Sequence, residues 1–338
     1  MPANPSTVSL QGRAVCVTGA GGFIGSHLCE ALVRGGAKVR ALVHYNGRGD
    51  RGMLEEIPDD IAREIEVVAG DIRDPHHMLR FCLGQDTIFH LASLIAIPWS
   101  YEAPQNYVMT NVVGTQNLLE AARICGARRM VHTSTSEVYG TARYVPIDEA
   151  HPLQGQSPYS ASKIGADKLA ESYFLSFQTP VVTLRPFNTY GPRQSARAVI
   201  PTIASQLLSG QPELRLGSLD PVRDLLFVRD TARAFVLAGT VEGIAGETVH
   251  VGTGVGVTIG ELAERMMLLA GRNLPILVED QRIRPAGSEV MRLLCNPARA
   301  KELLGFESQV SLDEGLTEVL ASVAARADKY RRTAEYQR

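Results

Sequence analysis

Short apolar runs alternate with segments of helical period through the first half of the chain. Arg13 to Thr18, Lys38 to Tyr45, Ile65 to Ala69, Thr87 to Leu91, the run around Met130 and Val131, and Val181 to Leu184 each read as strands. Between them lie helical patterns. One carries Ile24, Leu28, Leu32 and Val33; a second, Tyr107 to Cys125, carries Leu118, Leu119 and Ala122 on one stripe; a third runs from Tyr159 through Tyr173. Strands and helices alternating at this rhythm predict an α/β domain with a doubly wound parallel sheet.

After Pro192 the pattern changes. It predicts a helix at Ile200 to Leu208, a short E-L-R-L run, Leu225 to Val228 returning to the sheet, and a helix at Thr231 to Ala238. Short strands including Thr248 to Val251, a helix at Ile259 to Ala270, the loop R-P-A-G-S-E and a last helix near Pro297 to Leu304 complete it. The expected organisation is a flexible tail at 1–12, a dinucleotide-binding domain of Rossmann type at 13–185, a mainly substrate-binding smaller α+β lobe at 186–330, and a tail at 331–338. A segment near 222–240 is expected to return to the first domain.

Composition narrows the function classes. At 338 residues, with 45% hydrophobic and 21% charged residues, a sizeable core is available. The net charge of −2 and the lack of a basic run argue against nucleic acid or an anionic membrane as partner. No apolar run is long enough to span a bilayer, and the first twelve residues have no signal-peptide core. Cys16, Cys29, Cys82, Cys125 and Cys295 are odd in number and unpaired in spacing, so they read as reduced thiols of a cytoplasmic protein. His76 and His77 are adjacent and the other histidines lack ligand spacing, so no metal site is expected.

The first strand breaks at once into G-A-G-G-F-I-G. Gly19, Gly22 and Gly25 fall between strand and helix, where a tight turn, close approach of a pyrophosphate and close helix packing all favour glycine. The phosphate would sit on free N–H groups at the helix start, around Phe23 and Ile24. At the end of the second strand an NAD binder usually carries an acidic residue for the ribose. Here His44, Tyr45 and Asn46 stand there, followed by Arg48, which can meet a 2′-phosphate or be a solvated loop charge. NAD is the expected cofactor, with NADP left open. Asp71, beside Ile72, can bond an adenine amino group or cap a helix. Leu91, Ala92 and Ser93 end the fourth strand, with small residues that let a cofactor pass. The apolar loop Leu94 to Tyr101, containing Ile95, is a substrate wall or a loop folded onto the core.

The chemistry centres on V-H-T-S-T-S-E-V-Y-G and, after a spacer, S-P-Y-S-A-S-K. Tyr159 and Lys163 are four apart in a helical pattern, so phenol and ammonium share one face. A cation beside a phenol favours the phenolate, which predicts Tyr159 as a base acting below its free pKa, with Thr135 sharing the proton. Arg193, Arg223 and Arg292 lie in loops that should face the cleft, where a guanidinium matches diphosphate oxygens in pairs.

Six motifs in order (T-G-A-G-G-F-I-G, H-L-A, T-S-T-S-E-V-Y-G, Y-S-A-S-K, R-P-F-N-T-Y-G-P and R-D-L-L-F-V) resemble the extended short-chain dehydrogenase/reductases acting on nucleotide sugars, from roughly Arg13 to Leu320. L-I-A-I-P, V-P-I-D-E and G-P-R-Q-S-A-R-A-V-I-P, which contains Val199, look like the 4,6-dehydratase branch serving legionaminic-acid-type sugars. That resemblance implies a nucleotide-linked N-acetylglucosamine as substrate. It implies that Thr135, Tyr159 and Lys163 oxidise the sugar C4 alcohol, with hydride passing to the nicotinamide and later returning to C6. The family's Thr-Asp-Glu run reads Thr135-Ser136-Glu137 here. Glu137 keeps the base that takes the C5 proton. Ser136 is a poor acid, so Glu137 itself or a water would serve the leaving C6 hydroxyl. Asn188 and Arg223 match diphosphate contacts, Asn111 matches an asparagine beside the active site, and Ile95 and Val199 fall among substrate-binding positions. A homodimer through a four-helix bundle of the helices around Tyr107–Cys125 and Pro158–Phe177 is also implied. A 4-epimerase and a 5,6-dehydratase on the same fold stay open as alternatives, and a non-catalytic nucleotide-binding regulator is disfavoured by the intact Thr135, Tyr159 and Lys163.

Overall fold

The computed structural model describes residues 9–279, 282 and 290–326. The loop R-P-A-G-S-E and the 331–338 tail lie outside them. Among the described residues thirteen strands follow in chain order: β1 Ala14–Thr18, β2 Lys38–His44, β3 Ile65–Gly70, β4 Thr87–His90, β5 Arg129–Thr133, β6 Val181–Pro186, β7 Asn188–Tyr190, β8 Leu214–Leu216, β9 Val222–Phe227, β10 Thr248–Val251, β11 Gly256–Thr258, β12 Ile276–Val278 and β13 Arg292–Leu293. Seven of them form one sheet in the order β10-β6-β5-β4-β1-β2-β3, parallel throughout. Every residue of β4 and β6 is buried, as expected of parallel strands covered by helices on both faces.

The order reverses between β1 and β4, which opens a crevice at the carboxyl ends of those strands. A buried hydrogen-bonded line spans it: His90 Nδ1 lies 2.8 Å from Thr18 Oγ1, and His90 Nε2 lies 3.0 Å from Thr115 Oγ1. The Phe23–Arg34 helix packs against the Val228–Thr240 helix on one face of the sheet, and the Pro75–Cys82 helix packs against Gly114–Cys125 on the other.

Leu225 to Val228 does not return to the large sheet. β9 joins a separate sheet with β7, β11 and β13, while only the helix that follows it, Val228–Thr240, packs on β4, β5 and β6. The strand that does return is β10, as the edge beside β6. Both are short strands mixing apolar and polar residues, so the pattern could not tell which found a partner. The smaller lobe has its own core of Tyr190, Ile203, Leu207, Phe227, Leu262, Met266, Leu316 and Val319. It includes a helix the sequence reading missed, Leu312–Ala324, which starts with a Ser311/Glu314 capping box. Of the expected N-terminal tail, Leu10 is buried in the main core and Gly12 N donates to Gly36 O.

Candidate active site

The glycine turn is built as its spacing requires. Gly19 has φ +70°, and a Cβ there would come within 2.7 Å of Ala92 N; one on Gly25 would strike Gly19 O. Gly22 precedes the Phe23–Arg34 helix, whose first turn has neither a side-chain cap nor an acidic residue. The N–H groups at Phe23 and Ile24 are therefore open to an anion at the edge of the crevice.

At the end of β2 a cavity of about 170 Å³ is lined by His44, Asn46, Gly49, Asp50 and Arg51, with Val43, Val67 and Ala69 behind them. Asn46 is occupied in shaping this loop: its Oδ1 accepts from Arg48 N and Asp50 N, both at 3.1 Å, and its Nδ2 donates to Asp50 O at 2.9 Å. The loop folds onto the glycine turn, with Met53 N donating to Gly21 O at 2.8 Å. Gly21, which lies 2.8 Å from Arg51 O if given a Cβ, is what admits it. Arg48 is exposed. Asp71 binds Arg73 at 2.5 Å, and that guanidinium holds its carboxyl below the usual range. The helix cap is Asp74, which accepts from His77 N, so Asp71 does not cap the helix. Ile72 is buried against Gly114. An uncapped helix, a glycine cradle and a cavity at the β2 end fit a dinucleotide.

Thr135 caps a short turn, Ser136–Tyr139, accepting from Glu137 N at 3.2 Å. That turn sets Ser136 inside and leaves Glu137 half-buried, its carboxylate without a hydrogen-bond or ion-pair partner among the described residues. Tyr159 and Lys163 lie on the first turns of the Pro158–Phe177 helix, fixed by a Ser157/Ser160 capping box with proline at its start. Both are buried. Lys163 Nζ donates to Thr133 O at 2.6 Å.

The electrostatics differ from the expectation of a lowered phenol. Burial pushes Tyr159 well above its ordinary value and Glu137 adds to this, while the Thr135 hydroxyl works the other way. Burial likewise pulls the Lys163 ammonium down to about 8, against the field of Asp167. The protein alone therefore holds the phenol protonated, and the expected low phenol is corrected.

Asn111 lies in a π-helical turn, Val108–Val113, within the segment read as an ordinary helix. Its amide accepts from Leu94 N at 2.8 Å and donates to Leu94 O and Ser162 Oγ, both at 2.9 Å. It thus clamps the Leu94 loop to the helix of Tyr159, with no donor left for a cofactor. The segment from Leu94 is not wholly a loop, because Ile97–Glu102 is helical. Ile95 is 67% and Trp99 53% exposed, while Ile97 packs with Tyr107 and Tyr159.

Leu91, Ala92 and Ser93 lie at the β4 end, with Leu91 N donating to Thr18 O. Asn188 opens β7 with a buried Oδ1 that has no partner among the described residues. Arg223 is buried on β9 and donates to Val222 O, Arg292 is exposed on β13, and Val199 begins the Val199–Leu208 helix, half-buried. Arg193, at φ +68°, is engaged elsewhere: it binds Glu30 at 2.7 Å and Ser26 Oγ at 3.3 Å, tying the smaller lobe to the Phe23–Arg34 helix. His27 completes that tie, 2.9 Å from Pro192 O. The sequence reading missed Asp50, Arg51 and Asp167 as parts of this region; Asp167 follows Lys163 by one helical turn, which was the available signal.

A family described as GDP-mannose 4,6 dehydratase matches residues 16–319. A UDP-glucose 4-epimerase of Mycolicibacterium smegmatis is 34% identical over 312 residues, covering 90% of this chain and 96% of the relative. A dTDP-glucose 4,6-dehydratase of Streptomyces antibioticus is 34% identical over 308 residues, with 90% of each covered. Among solved structures, a dTDP-glucose 4,6-dehydratase from Streptomyces venezuelae with NAD bound superposes with a TM-score of 0.84 at 31% identity, covering 95% of this chain and 99% of that one. The chain belongs to this family, the nucleotide-sugar dehydratases and epimerases of the extended short-chain dehydrogenase/reductases.

Proposed function

We propose that the protein is an NAD-dependent nucleotide-sugar 4,6-dehydratase acting on a nucleotide-linked hexose of the N-acetylglucosamine type. The observation that carries this reading is Glu137: a half-buried carboxylate with no partner of its own, close enough to raise the Tyr159 phenol. An epimerase that only removes and returns hydride at C4 has no use for a base there.

When bound, the nicotinamide supplies a hydride acceptor and donor. Tyr159, with Lys163 one turn away and a cationic nicotinamide bound, would lose its own proton first and, as the phenolate, would take the proton of the sugar O4. Thr135 hydrogen-bonds the same oxygen. The ketone formed at C4 acidifies C5, and Glu137 takes that proton. Ser136 is too weak an acid to release the C6 hydroxyl unaided, and protonated Glu137 returns its proton to the departing oxygen. Asn188, through its Nδ2 donor, and Arg223 contact the nucleotide diphosphate side of the substrate, with Ile95, Val199 and Arg292 around the sugar. Gly19, Gly22, Phe23, Ile24 and Gly25 receive the cofactor pyrophosphate.

The same reading takes the protein as a homodimer. Val108, Met109, Ile124, Leu175 and Phe177 are large exposed apolar residues on the two helical segments that would form a four-helix bundle. The relatives include 4-epimerases, so the test must separate the two outcomes. Incubation with NAD and UDP-, GDP- and dTDP-hexoses, read by mass spectrometry, is expected to show loss of one water and a keto product from one of them. Unchanged mass with a new diastereomer by NMR would make it an epimerase.

A further inference from the structure

Below the Tyr159–Lys163 pair lies a charged cluster that no part of the proposed mechanism uses. Asp167 follows Lys163 by one turn of the same helix, and the two side chains share a face. Lys163 is 3% and Asp167 5% exposed. Both carboxylate oxygens of Asp167 are taken: His132 Nε2 lies 2.9 Å from Oδ1, while Ser134 Oγ donates to Oδ2 at 2.6 Å and Arg185 Nη2 at 2.8 Å. Burial opposes charge on Asp167, yet those partners hold it well below the usual carboxylate range. It is a fixed anion in the protein interior.

Other groups face it from every packed element. Tyr159 shares its helix; His132 lies on β5, His90 on β4 and Arg185 on β6; Glu137 and Tyr139 lie on the short turn; Glu149 and His250 flank Tyr139 and Arg185. Burial pushes the His90 imidazole down, with His132 and then Lys163 adding to it; burial also pushes His132 down, against its hydrogen bond to Asp167 and with the Lys163 charge.

We propose that Asp167 is a positioning residue for the reaction: it supplies the buried negative charge that keeps Lys163 an ammonium, held on Thr133 O beneath the phenol. An uncompensated ammonium in this interior would lose its proton or expel the helix turn that carries it. The role rests on the assignment of Tyr159 and Lys163 above.

The test is a cycle of Asp167→Asn and Lys163→Met, followed by thermal unfolding and by the pH profile of turnover. Asp167→Asn is expected to move the alkaline limb of kcat down by about 1 to 2 pH units, the scale of one close buried charge, with KM for the nucleotide sugar little changed. Ser134→Ala, which removes one hydrogen bond but no charge, should leave that limb in place. An unmoved limb in Asp167→Asn, or an equal shift in Ser134→Ala, overturns the proposal. Asp167→Asn also strands the buried Arg185 guanidinium, so if it does not fold the comparison is made in an Arg185→Met background, where adding Lys163→Met to Asp167→Asn should restore folded protein; no recovery there overturns the proposal. The folding cycle needs no substrate, so a protein inactive on every nucleotide sugar would refute the dehydratase reading without deciding this one.

Discussion

Asn111 offers a sharp test of how the site is held together. Replacing it with alanine removes a fully buried amide and strands three groups: Leu94 N, Leu94 O and Ser162 Oγ, bonded to it at 2.8, 2.9 and 2.9 Å. At about 1 kcal/mol for each lost bond, the variant should lose about 3 kcal/mol. With an unfolding entropy of ~2.1 cal/mol/K per residue, a chain of 338 residues has about 0.7 kcal/mol/K, so Tm should fall by about 4 °C. Asn117→Ala is the control, since Asn117 makes a single bond, to Ile72 O at 2.9 Å, and should cost about a third as much. Scanning fluorimetry gives both values. In Asn111→Ala the freed Leu94 loop should also lower kcat, since Ser162 bonds Tyr159 O at 2.7 Å and Leu94 packs in the cluster of Tyr159. A fall in Tm no larger than the control, with kcat intact, would refute the clamp.

Three further outcomes are expected. Tyr159→Phe should abolish turnover while leaving NAD binding, measured by calorimetry, within about threefold of the parent, since the pyrophosphate cradle is untouched; retained turnover would remove Tyr159 as the base. Glu137→Gln should block exchange of the C5 hydrogen with deuterated water yet permit C4 oxidation, seen as cofactor absorbance near 340 nm that does not decay; persistent exchange would remove Glu137 as the C5 base. Stability should fall in acid: His27, at about 4, and His250, at about 3, are held down chiefly by burial, and His90 and His132 are lowered by the same cause. Each is neutral when folded and binds a proton when unfolded below about pH 6.5, so its contribution is present above that value and drains away as pH falls toward 4. At pH 5.5 His27 and His250 together should make unfolding take up about two protons, and a Tm unchanged between pH 7 and 5 would contradict this.

What the sequence makes legible follows the range of the interactions. The six strands of the first domain, the glycine turn and the helix bearing Tyr159 and Lys163 are set by local pattern, and each stands within a few residues of where periodicity puts it. Where tertiary partners decide, pattern is silent. β9 and β10 are both short strands mixing apolar and polar residues, and which one completes the large sheet depends on the edge left open by β6. Arg193 looks like a diphosphate ligand in sequence, but its partner is Glu30, 163 residues away, a pairing that no local signal carries. Asn46 stands where a ribose contact belongs, yet its amide is used in turning its own loop.

The phenol is the most instructive case, because the sequence argument failed there through the sign of the larger effect. An ammonium one turn away does favour a phenolate, but Tyr159 and Lys163 are buried together, and burial opposes charge on each: it pushes the phenol up and draws the ammonium down to about 8. Two groups that each resist ionising cannot activate one another by proximity alone. On the proposed reading, the site would become a base once the cationic ring of a bound cofactor acts on Tyr159 from the crevice, with Asp167, already in place, sustaining Lys163 from below. Proton removal is then coupled to an occupied cofactor site, and an empty enzyme has no phenolate to lose to solvent. The same coupling gives Glu137 its separate place. Half-buried beside the pair and left without a partner among the described residues, it would, on the proposed reading, take a carbon-bound proton only after oxidation at C4 has made that proton acidic.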